Sequence, residues 1–568
     1  MSRLVKKSPS LCVDLPLDHS DVRNKLHLLR QLLTSCFGPT GKLKLVHNNI
    51  GGHVVTTSTS SLLLAAVSSS QPLVDLIKTS ILNHVSRFSD CGLFAATMCL
   101  ALIEQAKQSG LRGNVCIRLN RHFLDVCVSY LQREDCCCKV KLDFCSSHNL
   151  ITLARSVISS KPACLLTEQE TLHISKLAVQ AFLLTVPCDK PGAVSLGQTV
   201  TISVEGHSVL NSAVFPGLLV DVTGAPCINK AENLTSHPLC MVLFSASLAG
   251  DIPELGGGII EMSWGVDTDA QILDQLLDLG KQAVKDDVKL FVCQKVIHPV
   301  LQQYLRSQGV IVIERLGITL MEPLTLLTGA QPVATLHTTL PAKAYGKVRD
   351  LSIRQFGSKT MLHLHAPGES AICTMVLCQR NETMLSELKV VCQKTEHVLR
   401  LTLREPYALL GGGCTETHLA AYVRHKSTNK ATESAAVLGC SQSEYLLSMD
   451  GFCSSMESVA KSLEHNGGNS LIDLTHAHHW TLPADVMNGC VEDSLGFCGC
   501  GLVEGSSNKK WTYLNTKYAE FSPAALATDS PVQTRVLDSF TAKLNALQVA
   551  VETANLALDV RYIIKDVN

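Results

Sequence analysis

The sequence predicts a multi-domain α+β protein, and three observations carry that expectation. At 568 residues the chain exceeds what one core organises, and about 150 residues per domain gives three or four domains. In the first third, apolar residues recur at helical spacing. Between about residues 240 and 370, short apolar runs alternate with amphipathic ones, the mark of β-α-β units and a parallel core.

Taken in order, Val22, Leu26, Leu29, Leu32 and Leu33 place a helix over residues 19–36 behind a Ser20/Asp21 cap. Leu43–Val46 and His53–Thr57 read as a β-hairpin. Residues 71–85 form a second helix, with Pro72 in its first turn. Leu93–Gln108, Ile117–Glu134, Ser147–Ser159 and Thr167–Phe182 add further helices. Val200–Val204, Val209, Val214 and Gly217–Val222 read as strands, and Gly192–Thr199 as a turn, since Gln198 stands where a phosphate-binding lysine would belong. Cys240–Ala246, Lys289–Cys293 and Val310–Glu314 are expected strands, separated by helices over Ala270–Asp286 and Pro299–Ser307. Val300, Leu301, Tyr304 and Leu305 form a stripe on the second of these, expected to pack inward. Ala371–Leu377 is a strand and Thr383–Leu403 a long helix. Leu537, Phe540, Leu544, Leu547, Val551, Ala554 and Leu558 give the last helix one buried face. His425–Ser443 and Thr481–Val532, rich in Ser, Thr, Asn and Gly, read as surface loops.

Composition narrows function. Hydrophobic residues make up 46% and charged residues 17%, enough for sizeable cores and for apolar surface that needs partners. A net charge of −1 argues against a nucleic-acid platform. No apolar run of about 18 residues appears, so membrane insertion is not expected, and the N-terminal MSRLVKKSPS lacks the apolar stretch of a secretory signal. The 24 cysteines then read as reduced thiols of a cytosolic protein. Neither Cys136-Cys137-Cys138 nor Cys498 with Cys500 has the CxxC spacing of a structural zinc site, and neither is read as a ligand set. His476, His478 and His479 are read as a polar loop.

Two turns can hold an anion. Phe37-Gly38-Pro39-Thr40-Gly41-Lys42 is a tight turn whose N–H groups can cradle a phosphate. Ser89-Asp90-Cys91-Gly92 caps the next helix, and a helix N-terminus attracts anions. Alone the pattern is weak, because such turns and caps are mostly structural.

GPTGKLK followed by a hairpin is similar to the start of the group II chaperonins, whose pattern is GPxGxxK, a stem hairpin, TNDGAT and GDGTT. Leu409-Leu410-Gly411-Gly412-Gly413-Cys414-Thr415-Glu416 resembles their VPGGGAxE. Val549-Ala550-Val551-Glu552-Thr553-Ala554 resembles their closing A-ETA. These landmarks span almost the whole chain, and within the family the match is to the divergent chaperonin-like Bardet–Biedl group.

The resemblance implies a group II chaperonin subunit with a helical equatorial domain, a small α/β intermediate domain and an α/β apical domain. It divides the chain into 1–150 equatorial, 151–212 intermediate, 213–370 apical and client-facing, 371–408 intermediate again and 409–568 equatorial. Residues 270–286 would lie near the family's helical protrusion. Gly38, Pro39, Gly41, Asp90, Cys91, Gly92, Gly411, Gly412, Gly413 and Gly467 (in Asn466-Gly467-Gly468) would hold ATP or ADP, with Asp90 toward Mg²⁺. Against TNDGAT the chain reads Thr57-Ser58-Thr59-Ser60-Ser61-Leu62, so Thr59 replaces the metal-side carboxylate. Gly92 and Leu93 replace two phosphate-binding hydroxyls. Lys394 falls where the family positions water with an Asp, and a protonated lysine cannot act as general base. Impaired or absent ATP hydrolysis follows; the alternative is an ATP-hydrolysing folding subunit. The resemblance also implies a hetero-oligomer with chaperonin-like Bardet–Biedl relatives and the conventional cytosolic chaperonin. Its clients would be subunits of the ciliary BBSome, in the cytoplasm around centrosomes and basal bodies.

Overall fold

Helix Gly92–Gln108 carries almost no polar residue in its first three turns, and every residue from Gly92 to Ile103 is buried. A helix apolar all round must be central. In the computed structural model, which describes residues 11–47, 54–187, 196–222, 238–250, 268–334, 340–368, 371–485, 495–505, 509–514, 516 and 535–565, it is. Around it pack Phe540–Asp559, Gln442–Lys461, Ser20–Thr34 and Pro72–Phe88. The described chain divides into two compact units, 1–179 with 386–568, and 180–385. The boundaries fall inside helices Glu168–Leu184 and Glu382–Leu401.

The first unit is this helical body with small sheets at its margins. Lys139–Lys141 and Leu537–Ser539 flank Tyr407–Leu410 antiparallel. Asn469–Asp473 lies between His479–Leu482 and Trp511–Tyr513. Lys44–His47 and Val54–Thr57 form the expected hairpin, Lys44 opposite Thr57. Leu11–Asp14 pairs antiparallel with Tyr562–Lys565, tying the two ends of the chain together.

The second unit holds the alternating segment. Ile311–Ile313, Val288–Cys293 and Leu239–Phe244 run parallel, and Tyr345–Val348 adds antiparallel beside the last. Helices Thr268–Lys285 and Pro299–Ser307 are its crossovers. Leu301 and Leu305 are fully buried, as the inward-packing expectation required, while Val300 is 40% exposed. Ile372–Gln379 pairs in parallel with Gln198–Glu205 and antiparallel with Ala213–Pro216. A third sheet joins Leu351–Phe356, Lys359–Leu364 and Leu218–Asp221. The architecture is mixed α and β, as the sequence predicts.

Four expectations need correction. His425–Ser443 is not a loop: Cys414–Asn429 continues through it, Ala431–Leu438 follows, and Ser441 opens Gln442–Lys461 with a capping box to Glu444. Tertiary burial of Arg424 and Ser427 on the inner face overrides the polar composition. Val209 begins a short 3-10 turn, in which Ser208 accepts the N–H of Leu210, instead of a strand. Strands His479–Leu482 and Trp511–Tyr513 also replace part of the loop expected over Thr481–Val532. His476 and His478 do lie in the connection between strands, but His479 opens the strand His479–Leu482, and His478 and His479 are buried. Residues 192–195, half of the Gly192–Thr199 turn, lie outside the described residues, as do 486–494, 506–508, 515 and 517–532 of the second loop segment.

Candidate functional site

A cleft in the first unit gathers most of the residues singled out by sequence. Gly38, Pro39, Asp90, Cys91, Gly92, Gly412, Gly413 and Lys394 line it together. Gly41, Gly411, Gly467 and Thr59 lie outside its lining.

The glycines have local reasons. Gly38 has φ +77°, and a Cβ there would sit 2.7 Å from Leu463 Cδ2. Gly413 has φ +82° and meets Ala460 in the same way. Gly92 opens the central helix so tightly that a Cβ would lie 2.4 Å from both Ser60 Oγ and Val85 Cγ2. Before it, Ser89 and Cys91 hold φ +60° and +59° without being glycine, a conformation that costs a non-glycine residue about 1–2 kcal/mol. The loop thus keeps a glycine-type backbone without the glycines, and His397 Nδ1 lies 2.7 Å from Ser89 Oγ. Outside the cleft, Gly467 turns at φ +83° beside Glu464, whose Oε1 accepts the N–H groups of Asn466 and Gly468.

Thr59 does not face the cleft. Its hydroxyl donates to Glu387 at 2.7 Å, and Thr57 donates to the same carboxylate at 2.9 Å. All three side chains are buried. Lys394 does face the cleft and donates to Ser61 Oγ at 2.7 Å. Burial and the nearby Lys161 bring its pKa down to about 8, so at pH 7 it remains a cation.

Sequence reasoning missed the cleft floor. Lys543 pairs with Glu416, and with Asp538 at 2.9 Å, and stands 4.2 Å over the Phe94 ring. Burial works against the charge on Lys543, yet the two carboxylates outweigh it and hold its pKa above the usual lysine value. Burial raises Asp538, with Lys543 opposing. Sequence positions 416, 538 and 543 share no local pattern; only the GGGCTE motif pointed near one of them. Asp90, Glu416 and Asp538 line the cleft together with Lys161, Lys394 and Lys543. Three carboxylates against three ammonium groups offer a polyphosphate no net attraction, so affinity must come from turn N–H groups and an accompanying cation. Glu416 Oε2 is buried without a protein partner. This set fits a nucleotide entering with Mg²⁺, which would supply charge neutralisation beside Asp90.

A helical body, an α/β unit inserted in its sequence and a glycine-turned cleft define a chaperonin-type subunit. Residues 29–568 match the TCP-1/cpn60 chaperonin family, and the chain belongs to that family. It is 46% identical over 574 residues to the molecular chaperone MKKS of Homo sapiens, covering 100% of both chains. The protein of that description from Mus musculus is 44% identical over 575 residues, again covering 100% of both. Thermosome subunit beta of Methanothermobacter thermautotrophicus is 21% identical over 505 residues, covering 85% of this chain and 86% of the relative. The chain is therefore a divergent chaperonin. Among the described residues, no helix is long and apolar enough to cross a membrane.

Proposed function

We propose that this chain is a chaperonin-like assembly factor that helps fold or assemble the BBSome with other chaperonin-like subunits, binding ATP or ADP with impaired or no hydrolysis. One observation carries the reading: Lys394, a cation at neutral pH, occupies the cleft where the family resemblance calls for a water-positioning carboxylate. Loss of a general base typically costs about 10²–10⁴ in rate. Thr59, engaged with Glu387, supplies no metal-side carboxylate either.

The five-part equatorial, intermediate and apical division belongs to the same proposal. So do the chaperonin-like Bardet–Biedl relatives and the conventional cytosolic chaperonin as partners, BBSome subunits as clients, and a place at the centrosome and basal body. The test has two readouts on the purified full chain. Fluorescent ADP should bind in the presence of Mg²⁺, while phosphate release from ATP stays at the no-enzyme background. Release well above background, abolished by Asp90→Ala, would establish the hydrolysing subunit instead.

A further inference from the structure

Several buried cysteines of this protein donate to a nearby carbonyl. Cys36 bonds Leu32 O at 3.4 Å and Cys453 bonds Ala420 O at 3.4 Å. Four residues form a cluster. Cys414, His478, Cys498 and Cys500 are buried, and their donor atoms all lie within 4.8 Å of one another. Cys498 Sγ is 3.3 Å from Cys500 Sγ, and His478 Nδ1 is 3.3 Å and 3.5 Å from those two sulfurs. Bond lengths of about 2.3 Å to sulfur and 2.0–2.1 Å to nitrogen put tetrahedral edges at about 3.8 Å (S···S) and 3.6 Å (S···N). The observed spacings need only small adjustments to meet them. The donor atoms are too close together to surround an iron–sulfur cluster, and a soft Cys₃His set disfavours Mg²⁺ and Ca²⁺.

We propose that Cys414, His478, Cys498 and Cys500 bind one zinc ion in a closed, structural tetrahedral site. The local backbone is built for it. Residues 496–505 form a tight knuckle: Cys498 N–H donates to Val503 O at 2.9 Å, Gly501 N–H to Cys498 O at 2.8 Å, and Gly505 N–H to Gly496 O at 2.9 Å. Gly501 takes φ +74° at the turn. Val503 N–H donates to Cys498 Sγ at 3.2 Å, the kind of outer contact that orients a thiolate ligand. Cys414 enters the cluster from the first position of helix Cys414–Asn429.

The site would hold the glycine turn of the cleft in place. Gly499 N–H donates to His479 O at 2.8 Å, Val536 N–H donates to Cys500 O at 2.9 Å, and His479 Nδ1 lies 3.0 Å from Gly412 O. A Cβ on Gly412 would fall 2.0 Å from Gly499 O. The knuckle and the turn therefore interlock, and a metal fixing one fixes the other.

The experiment is elemental analysis by mass spectrometry of the full chain, produced with zinc and purified without chelators. About one zinc per chain is expected, and exchange with Co²⁺ should give the intense visible bands of a tetrahedral thiolate site. The Cys498→Ser/Cys500→Ser variant should lose the zinc, and Cys145→Ser should keep it. Should the double variant not fold, the cobalt spectrum of the unaltered chain still decides. Free thiols with only trace zinc and no cobalt bands would overturn the proposal. So would a disulfide among Cys414, Cys498 and Cys500, or zinc retained by the folded double variant.

Discussion

Thr59 stands 2.7 Å from a buried carboxylate that lies 328 residues further along the chain. Thr59→Val leaves Glu387 short of one donor, and stability should fall by about 1–3 kcal/mol in chemical denaturation. Thr59→Asp should be worse, because two carboxyl groups would share one buried site. It should not restore phosphate release by itself, and Glu387→Gln added to it should recover part of the lost stability. Lys394 has a pH signature of its own. Its pKa is near 10.5 when unfolded and about 8 when folded. Between those values the unfolded chain holds the extra proton, so the lysine's burial cost is full below pH 8 and fades as pH rises toward 10.5. Lys394→Met should therefore be more stable than the parent at pH 7. That advantage should shrink by up to about 3 kcal/mol by pH 10.5 in parallel denaturation curves. At this scale the sequence was legible where a motif is local, as at Gly38 and Asp90. It was silent where Glu416, Asp538 and Lys543 meet, because only folding joins them.

Helices Cys414–Asn429 and Gln442–Lys461 are joined by a buried ion pair: Arg424 to Glu457, with the Nη2–Oε2 bond at 3.2 Å. Removing one partner from such a pair typically costs about 3–5 kcal/mol, whereas replacing both by apolar residues can be neutral. Arg424→Met should lower the thermal midpoint strongly, and Arg424→Met/Glu457→Met should recover most of the loss. The same helix shows why the 425–443 segment was misread as a loop. Its inner positions are Arg424, paired with Glu457, and Ser427, both buried polar residues, so the apolar periodicity that reveals a helix is missing. Helix Phe540–Asp559 was legible for the opposite reason: Leu547, Ala550, Val551 and Ala554 mark its inner face directly. The β-α-β run was legible too, since its strands are short apolar blocks bounded by amphipathic helices.

For the whole molecule, the hairpin Lys44–His47/Val54–Thr57 pairs only with itself among the described residues, and its Leu45 is 70% exposed. Such an edge is a template for a strand from another chain. Light scattering of the isolated protein should give a mass far below that of a double ring. Leu45→Lys should weaken co-purification with the conventional cytosolic chaperonin, while changing stability by no more than about 0.5 kcal/mol. A wild-type homo-ring would contradict this. The other two-stranded sheet has a different bearing. Leu11–Asp14 and Tyr562–Lys565 join two segments far apart in sequence, and Ile563 from the second strand is embedded in the helical core. A nonsense codon at position 562 would thus release Leu11–Asp14 from its partner strand and take Ile563 out of the helical core, harm usually associated with a lesion far upstream.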